Sequence, residues 1–338
     1  MSTQESGSLI KDLHRRKILT PTIVENLQVY VPLIFILVVL SLIAFSQNSA
    51  FLKSQNLTQI LVASSAVGIL AVGQTVLLVG GMLDLSVGSL VSLGSVVAAK
   101  MVLNGVSDII IVVLAIALGC VVGLLWGVIV SMLRVPPFIL TLGGLAVLSS
   151  LALTIGKSTP IPLPNGLNWL QTGSLFSVRT PILVWVIAVV IGAVLLHFTR
   201  FGRNVYAVGA NEEAAYLSGI SVTRVKISLF IFNGALGGLA GVVIAGRVGA
   251  GDPRGGVGLE LITIAAIVLG GASLAGGRGT ILGSILGVLV LGVVTSSLTF
   301  LNVPDTYDQF VFGAILIAAV TVTAVAEMRR RGRVRRRI

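Results

Sequence analysis

This chain is short of charge. Only 10% of its 338 residues are Asp, Glu, Lys or Arg, against about 25% in a soluble domain, and the shortage excludes an ordinary soluble fold. Cysteine is almost missing: Cys120 stands alone, so an internal disulfide or a cysteine metal site is excluded. His14 and His197 are isolated, and no His, Cys or carboxylate group has metal-ligand spacing. Catalytic patterns are lacking too. The sequence has no HExxH, no GxSxG and no paired carboxylates within one apolar run. Gly156-Lys157-Ser158-Thr159 resembles the end of a phosphate-binding loop, but Leu151 stands where the first glycine is required, with no strand before and no helix after. We therefore expect no catalytic residues, no metal and no nucleotide or other cofactor in this chain.

Apolar residues dominate what is present, at 55% of the chain, with a mean hydropathy of +1.05. The fold class implied is an all-α polytopic membrane protein. A hydrocarbon core about 30 Å thick needs about 20 helical residues. The apolar runs give about ten transmembrane helices, near 29–46, 57–79, 87–104, 109–133, 136–155, 181–198, 226–246, 259–274, 281–300 and 308–326. The third and eighth are short and glycine-flanked, which suits re-entrant or broken segments. Three parts follow: an N-terminal segment 1–28, a transmembrane region 29–326 and a basic tail 327–338.

The net charge of +11 does not point to nucleic acid. Seven of the 23 basic residues lie in the last ten positions and four more between Lys11 and Lys17, the flanking clusters that set topology and meet lipid. With the amino terminus inside and alternating crossings, 17 basic residues fall on the cytoplasmic side and six outside. Both termini are thus expected in the cytoplasm. Residues 1–28 lack an apolar core followed by a cleavage site, so the first span is expected to direct insertion.

One long polar interruption, 199–226, separates two hydrophobic halves. Asn211 is a good N-cap, Glu212 and Glu213 put negative charge in the first turn, and Gly219 supplies a stop. Residues 212–218 are therefore expected to form a short helix. A helix below about 12 residues is marginal in water, so neighbours, a soluble partner or both must hold it. Arg200, Arg203, Arg224 and Lys226 flank it and mark a cytoplasmic loop. Outside, 156–181 is the longest loop, stiffened by Pro160, Pro162 and Pro164; a landing surface for a partner and a cap over the bundle both fit.

Within the spans, Asp84 is expensive at membrane depth unless capped, paired or wet. One reading makes it the N-cap of the third span, accepting backbone N–H bonds near Ser86 and Val87; the other gives its charge a functional role. Gln74, Thr75, Thr141 and Asn233 are uncharged polar groups suited to the hydroxyls of a neutral solute, or to tying helices together. Glu260 and Arg254 flank a glycine turn and are candidates for a pair. Gly80-Gly81 before Asp84 and Gly255-Gly256 before Glu260 open apolar segments of opposite orientation, an echo expected of inverted five-helix repeats. Glycines at 119, 123 and 127, and again at 279, 283 and 287, have the four-residue spacing that lets helices approach closely.

Four blocks together resemble the permease subunit of ribose-type ABC importers, the branch carrying monosaccharides and related polyols. They are DLSVGS at Asp84–Ser89, PPFILTLG at Pro136–Gly143, GRNVYAVGANEEAAYLSGI at Gly202–Ile220, and ELITIAAIVLGGASLAGGRGTILGS at Glu260–Ser284. The resemblance covers about 57–320; Met82 and Leu83 depart from the usual Gly-Gly-Ile-Asp. It implies alternating access in a bacterial cytoplasmic membrane. ATP and Mg would sit on a separate ATP-binding cassette subunit, an extracytoplasmic binding protein would deliver sugar, and a second permease subunit, a copy or a paralogue, would complete the pore. It further implies a coupling helix made by Asn211, Glu212, Glu213, Ala214, Ala215, Leu217, Ser218 and Gly219. Read from the residues alone, Gln74, Thr75, Asp84, Ser86, Thr141, Asn233 and Glu260 are the candidates for a translocation path or a structural role. The resemblance implies no high-affinity sugar site in the permease, which suits an aromatic content of 6%. An ion-coupled secondary transporter working through Asp84 or Glu260 is the alternative.

Overall fold

The computed structural model describes residues 30–335, apart from 47 and 165. The 1–28 segment and the end of the basic tail lie outside the described residues. The apolar runs become helices: α1 (Tyr30–Ser46), α2 (Ser54–Val79), α3 (Val87–Leu103), α4 (Asp108–Met132) and α5 (Pro137–Gly156). Then come β1 (Ile161–Pro162), a single turn α6 (Asn168–Gln171), the hairpin β2 (Ser174–Leu175) and β3 (Val178–Arg179), and α7 (Thr180–Ala193), which runs on through a π segment to Phe198. The second half holds α8 (Arg200–Ala210), α9 (Glu212–Leu217), α10 (Val222–Val248), β4 (Ala250–Gly251), α11 (Leu259–Leu269), α12 (Ile281–Phe300) and α13 (Asp308–Arg335).

Among the described residues, six helices are long and apolar enough to cross a membrane: α2, α4, α5, α7 with its extension, α10 and α12. Four shorter apolar helices accompany them, α1, α3, α11 and the first half of α13. The two central helices are α2 and α10, with 83% and 67% of their apolar windows buried, whereas α4 and α5 bury only 28% and 22%. Lipid gives helices no hydrophobic reason to associate, so close backbone approach must do it. Gly119, Gly123 and Gly127 provide that approach on α4. A side chain on Gly119 would overlap the Gly234 carbonyl, and one on Gly123 the Phe230 carbonyl, both on α10. Gly283 and Gly287 on α12 likewise lie against the carbonyls of Gly270 and Ala266.

Both expected short spans are short continuous helices led in by non-helical chain, 82–86 before α3 and 252–258 before α11, and are broken in that sense. After α2 the chain turns at Gly80 and at Gly81 (φ +79°), then doubles back beside α2 so that α3 starts level with Gln74. Near the opposite end, the stretch after β4 descends along α3: Asp252 N–H bonds the Ser95 hydroxyl at 3.1 Å and Gly256 N–H the Ser92 hydroxyl at 2.9 Å. From Ser95 to Gly88 that descent covers about 10 Å of helix axis. The helix α11 that follows has 11 residues, about 16 Å, and ends at Leu269 rather than at 274, because Gly270 packs on α12 and Gly271 (φ +88°) turns the chain.

The 156–181 loop lies against the end of α10, as a cap would, and leaves the landing-surface reading open. Its Leu163 N–H bonds Gly249 at 2.9 Å, β1 pairs with β4, and Leu167 and Leu170 pack on Gly246. The expected Arg254 and Glu260 pair does not form. Asp252 takes the Arg254 backbone N–H at 2.8 Å, and Glu260 folds back to the N–H of Gly258 at 3.3 Å.

Candidate functional site

Two places gather the polar residues. The first is the start of α3. Asp84 is 2% exposed, and its Oδ1 accepts the Ser86 N–H at 2.8 Å and the Ser86 hydroxyl at 2.6 Å. Its Oδ2 accepts the Asn233 amide from α10 at 2.9 Å. The helix begins at Val87 with Ser86 as its cap residue, so Asp84 stands two positions outside the cap position expected for it. It still captures the N–H of the cap residue, and Asn233 adds a second tie. Gln74 donates its amide to the Asp84 carbonyl, Thr141 accepts the Leu85 N–H at 3.1 Å, and Trp126 Nε1 donates to the Ser86 hydroxyl at 3.1 Å. Helices α2, α4, α5 and α10 thus all hold the broken end of α3.

Five of the seven expected intramembrane residues meet here: Gln74, Asp84, Ser86, Thr141 and Asn233. Thr75 does not. It faces α12, where its hydroxyl bonds that of Ser284 at 2.6 Å. Glu260, 9% exposed, lies against Gly88, the second residue of α3. Trp126 escapes sequence reasoning because it stands in an uninterrupted apolar run. Among the described residues, Gln74 Oε1 and Asn233 Oδ1 are buried acceptors without a hydrogen-bond partner.

The second place is α9. Asn211 is extended (φ −161°, ψ 106°) and its side chain accepts the Ala214 N–H at 2.9 Å, as an N-cap should. At the other end Gly219 (φ +81°) sends its N–H to Tyr216 and Ile220 sends its own to Ala215, the paired bonds of a Schellman stop. Ser218 adds a hydroxyl bond to the Ala214 carbonyl at 2.8 Å. Ala215 is buried, while Tyr216 and Leu217 are 69% and 78% exposed. Glu212 is fastened within the chain by Lys226 at 2.7 Å. The sequence reading omits Tyr216, and it misses α8, an amphipathic helix that shares Asn211 with α9 as stop and start. On α8, burial and the nearby Tyr30 push the Tyr206 phenol up to about 12.

A bundle of long apolar helices packed through glycines, with a capped two-turn helix at one end, is the frame of a multi-spanning membrane protein. Residues 56–320 match the family described as branched-chain amino acid transport system / permease component. The ribose import permease protein RbsC of Escherichia coli K12 is 39% identical over 293 residues, covering 85% of this chain and 91% of that protein. RbsC of Bacillus subtilis is 35% identical, covering 88% and 92%, and the L-arabinose ABC transporter permease protein AraH of Azospirillum brasilense is 38% identical, covering 80% of each. The chain belongs to this permease family, in the branch of ribose-type sugar ABC permeases. No solved structure matches it.

Proposed function

We propose that this permease subunit of a monosaccharide ABC importer works by alternating access, with α9 as the coupling helix through which a separate ATP-binding cassette subunit moves the bundle. The observation that carries the reading is the exposed pair Tyr216 and Leu217 on a helix of six residues that is capped at both ends. Caps alone do not stabilise two turns in water; Lys226 and the buried Ala215 hold one side, and the apolar side needs an apolar groove. Glu213 on the same element adds a charge for that partner. ATP and Mg belong to the cassette subunit. Its differential affinity for the closed and open states supplies the bias that any driven conformational change requires.

The remaining expectations extend the same picture. The six long and four short apolar helices amount to about ten spans, and both termini face the cytoplasm. Helices α3 and α11, entering from opposite ends, have the relation expected of inverted repeats. An extracytoplasmic binding protein delivers the sugar, and a second permease subunit, a copy or a paralogue, completes the path. Ribose and arabinose, the solutes named for the relatives, set the class: a pentose or similar monosaccharide whose hydroxyls donate to acceptors such as Gln74 Oε1 and Asn233 Oδ1. The ion-coupled alternative has no observation in its favour, since Asp84 is engaged at both oxygens by Ser86 and Asn233.

Reconstitution tests the proposal. Proteoliposomes holding this chain, its cassette ATPase and its binding protein are expected to take up labelled ribose, arabinose, xylose or allose only with ATP inside. Accumulation against a gradient by the chain alone would refute it. Glu213→Lys is expected to weaken co-purification with the ATPase while leaving the permease inserted.

A further inference from the structure

The end of the molecule that carries α9 contains a joint built from four glycines on three separate segments. Gly209, the last glycine of α8, has no room for a side chain: a Cβ there would lie on the Val79 carbonyl and 2.8 Å from the Gly277 nitrogen. Gly277 N–H in turn donates to that Val79 carbonyl at 2.8 Å. A Cβ on Gly276 would meet Gly81 Cα at 2.7 Å and the Gly209 carbonyl at 2.8 Å. Gly81, Gly276 and Gly277 all have positive φ, +79°, +82° and +70°, so the turns that bring the segments together suit glycine. Beside them the Tyr206 hydroxyl on α8 donates to the Gly279 carbonyl at 2.7 Å.

The position of this joint matters more than its tightness. One residue, Asn211, separates α8 from α9, so a displacement of α9 has no long linker in which to dissipate. The joint touches the chain leading into one broken helix and leaving the other: Val79 and Gly81 lead through Asp84 into α3, while the Gly276–Gly279 turn follows α11 and links it to α12. The starts of the two broken helices meet each other, Gly88 of α3 lying against Glu260 of α11 and against Gly256 just before it. Pushing α9 therefore reaches α3 and α11 through one contact, and the two are already coupled where they meet.

We infer that the joint of Gly81, Gly209, Gly276 and Gly277, clamped by the Tyr206 to Gly279 hydrogen bond, transmits movement of α9 to both broken helices. Tyr206 and Gly209 are thus positioning residues for transport. This rests on α9 being the coupling helix, and the two ideas fail differently. If α9 is not the docking element, its own variants leave ATPase binding intact; the joint is judged only by how much sugar moves per ATP hydrolysed.

The test uses the full complex of permease, ATPase and binding protein in proteoliposomes, with the labelled sugar that wild type transports, reading uptake and ATP hydrolysis together. Tyr206→Phe removes one hydroxyl and is expected to leave assembly and basal hydrolysis unchanged, while sugar moved per ATP falls about threefold to tenfold, the worth of one hydrogen bond. Gly209→Ala separates α8 from Val79 and is expected to lower the ratio further. A merely structural role would reduce thermal stability, uptake and hydrolysis together and leave the ratio at its wild-type value. An unchanged ratio for Tyr206→Phe overturns the inference, even if Gly209→Ala proves too disruptive to insert.

Discussion

Leu217→Ala is the sharpest probe of the docking surface because the side chain does little for the permease itself. It is 78% exposed, at the end of a helix whose caps are made by other residues. The substitution deletes three carbon groups, each worth about 0.8 kcal/mol when buried. Scaled by the 78% still open to be covered, the expected loss is about 2 kcal/mol of affinity for the ATPase. That is roughly 30-fold in Kd at 1.4 kcal/mol per tenfold. The assay is the dissociation constant between purified ATPase and the permease held in lipid nanodiscs, with thermal denaturation of the permease measured alongside. Docking on α9 requires a large loss in affinity with an unchanged melting temperature. A Kd within about twofold of wild type would mean that Leu217 stays exposed in the complex, and the argument from exposure would be wrong.

Other perturbations address the bundle. Gly119→Ala drives a methyl group into the Gly234 carbonyl and is expected to cost about 1–3 kcal/mol, read as a lower melting temperature in detergent. At the start of α3, Asp84→Asn keeps an acceptor for the Ser86 N–H, and Asn233 can turn its amide to match. Asp84→Leu takes the acceptor from three donors, the Ser86 N–H, the Ser86 hydroxyl and the Asn233 amide, at about 1–3 kcal/mol for each left unpaired, so melting temperatures should fall in the order wild type, Asn, Leu; equal loss of transport in both, with normal insertion, would instead assign the charge itself a role. Tyr206 gives a pH signature. Its pKa in the folded protein is raised, from 10 to about 12, so its contribution is intact below pH 10 and is lost as pH climbs towards 12. Comparing Tyr206→Phe with wild type, tyrosinate absorbance should show one phenol fewer titrating near 12, and the variant should lose less stability across that window.

Much of this architecture is legible because apolar length and caps are local properties. The run at 281–300 is a helix over those same residues, and Asn211 and Gly219 bracket α9 as their types require. The glycine spacing at 119, 123 and 127 indicates close approach but not the partner, since Gly234 and Phe230 lie more than a hundred residues away. Helix α8 is hard to see in the sequence because Arg200, Arg203 and Asn204 look like a polar linker. The signal for it is Phe201, Val205 and Val208, apolar residues that recur at helical spacing. Arg254 and Glu260 failed as a pair because turns favour contacts two residues away: Asp252 reaches the Arg254 N–H and Gly258 reaches Glu260.

The polar residues of the spans have a prior duty that limits what they can offer a solute. A helix that begins within the apolar layer exposes backbone groups that no lipid can satisfy. Here the Leu85 N–H goes to Thr141, the Ser86 N–H to Asp84 and the Asp84 carbonyl to Gln74. A sugar hydroxyl that displaced Thr141 would release the backbone at the start of α3, so the acceptors with capacity to spare are Gln74 Oε1 and Asn233 Oδ1 rather than Thr141. Thr141→Val keeps the shape and removes the acceptor. It is expected to cost about 1–3 kcal/mol for the stranded N–H, measured as a lower melting temperature, while the order of uptake among ribose, arabinose, xylose and allose stays that of wild type. A reordered preference with unchanged stability would put Thr141 in contact with the sugar and leave the Leu85 N–H to some other acceptor.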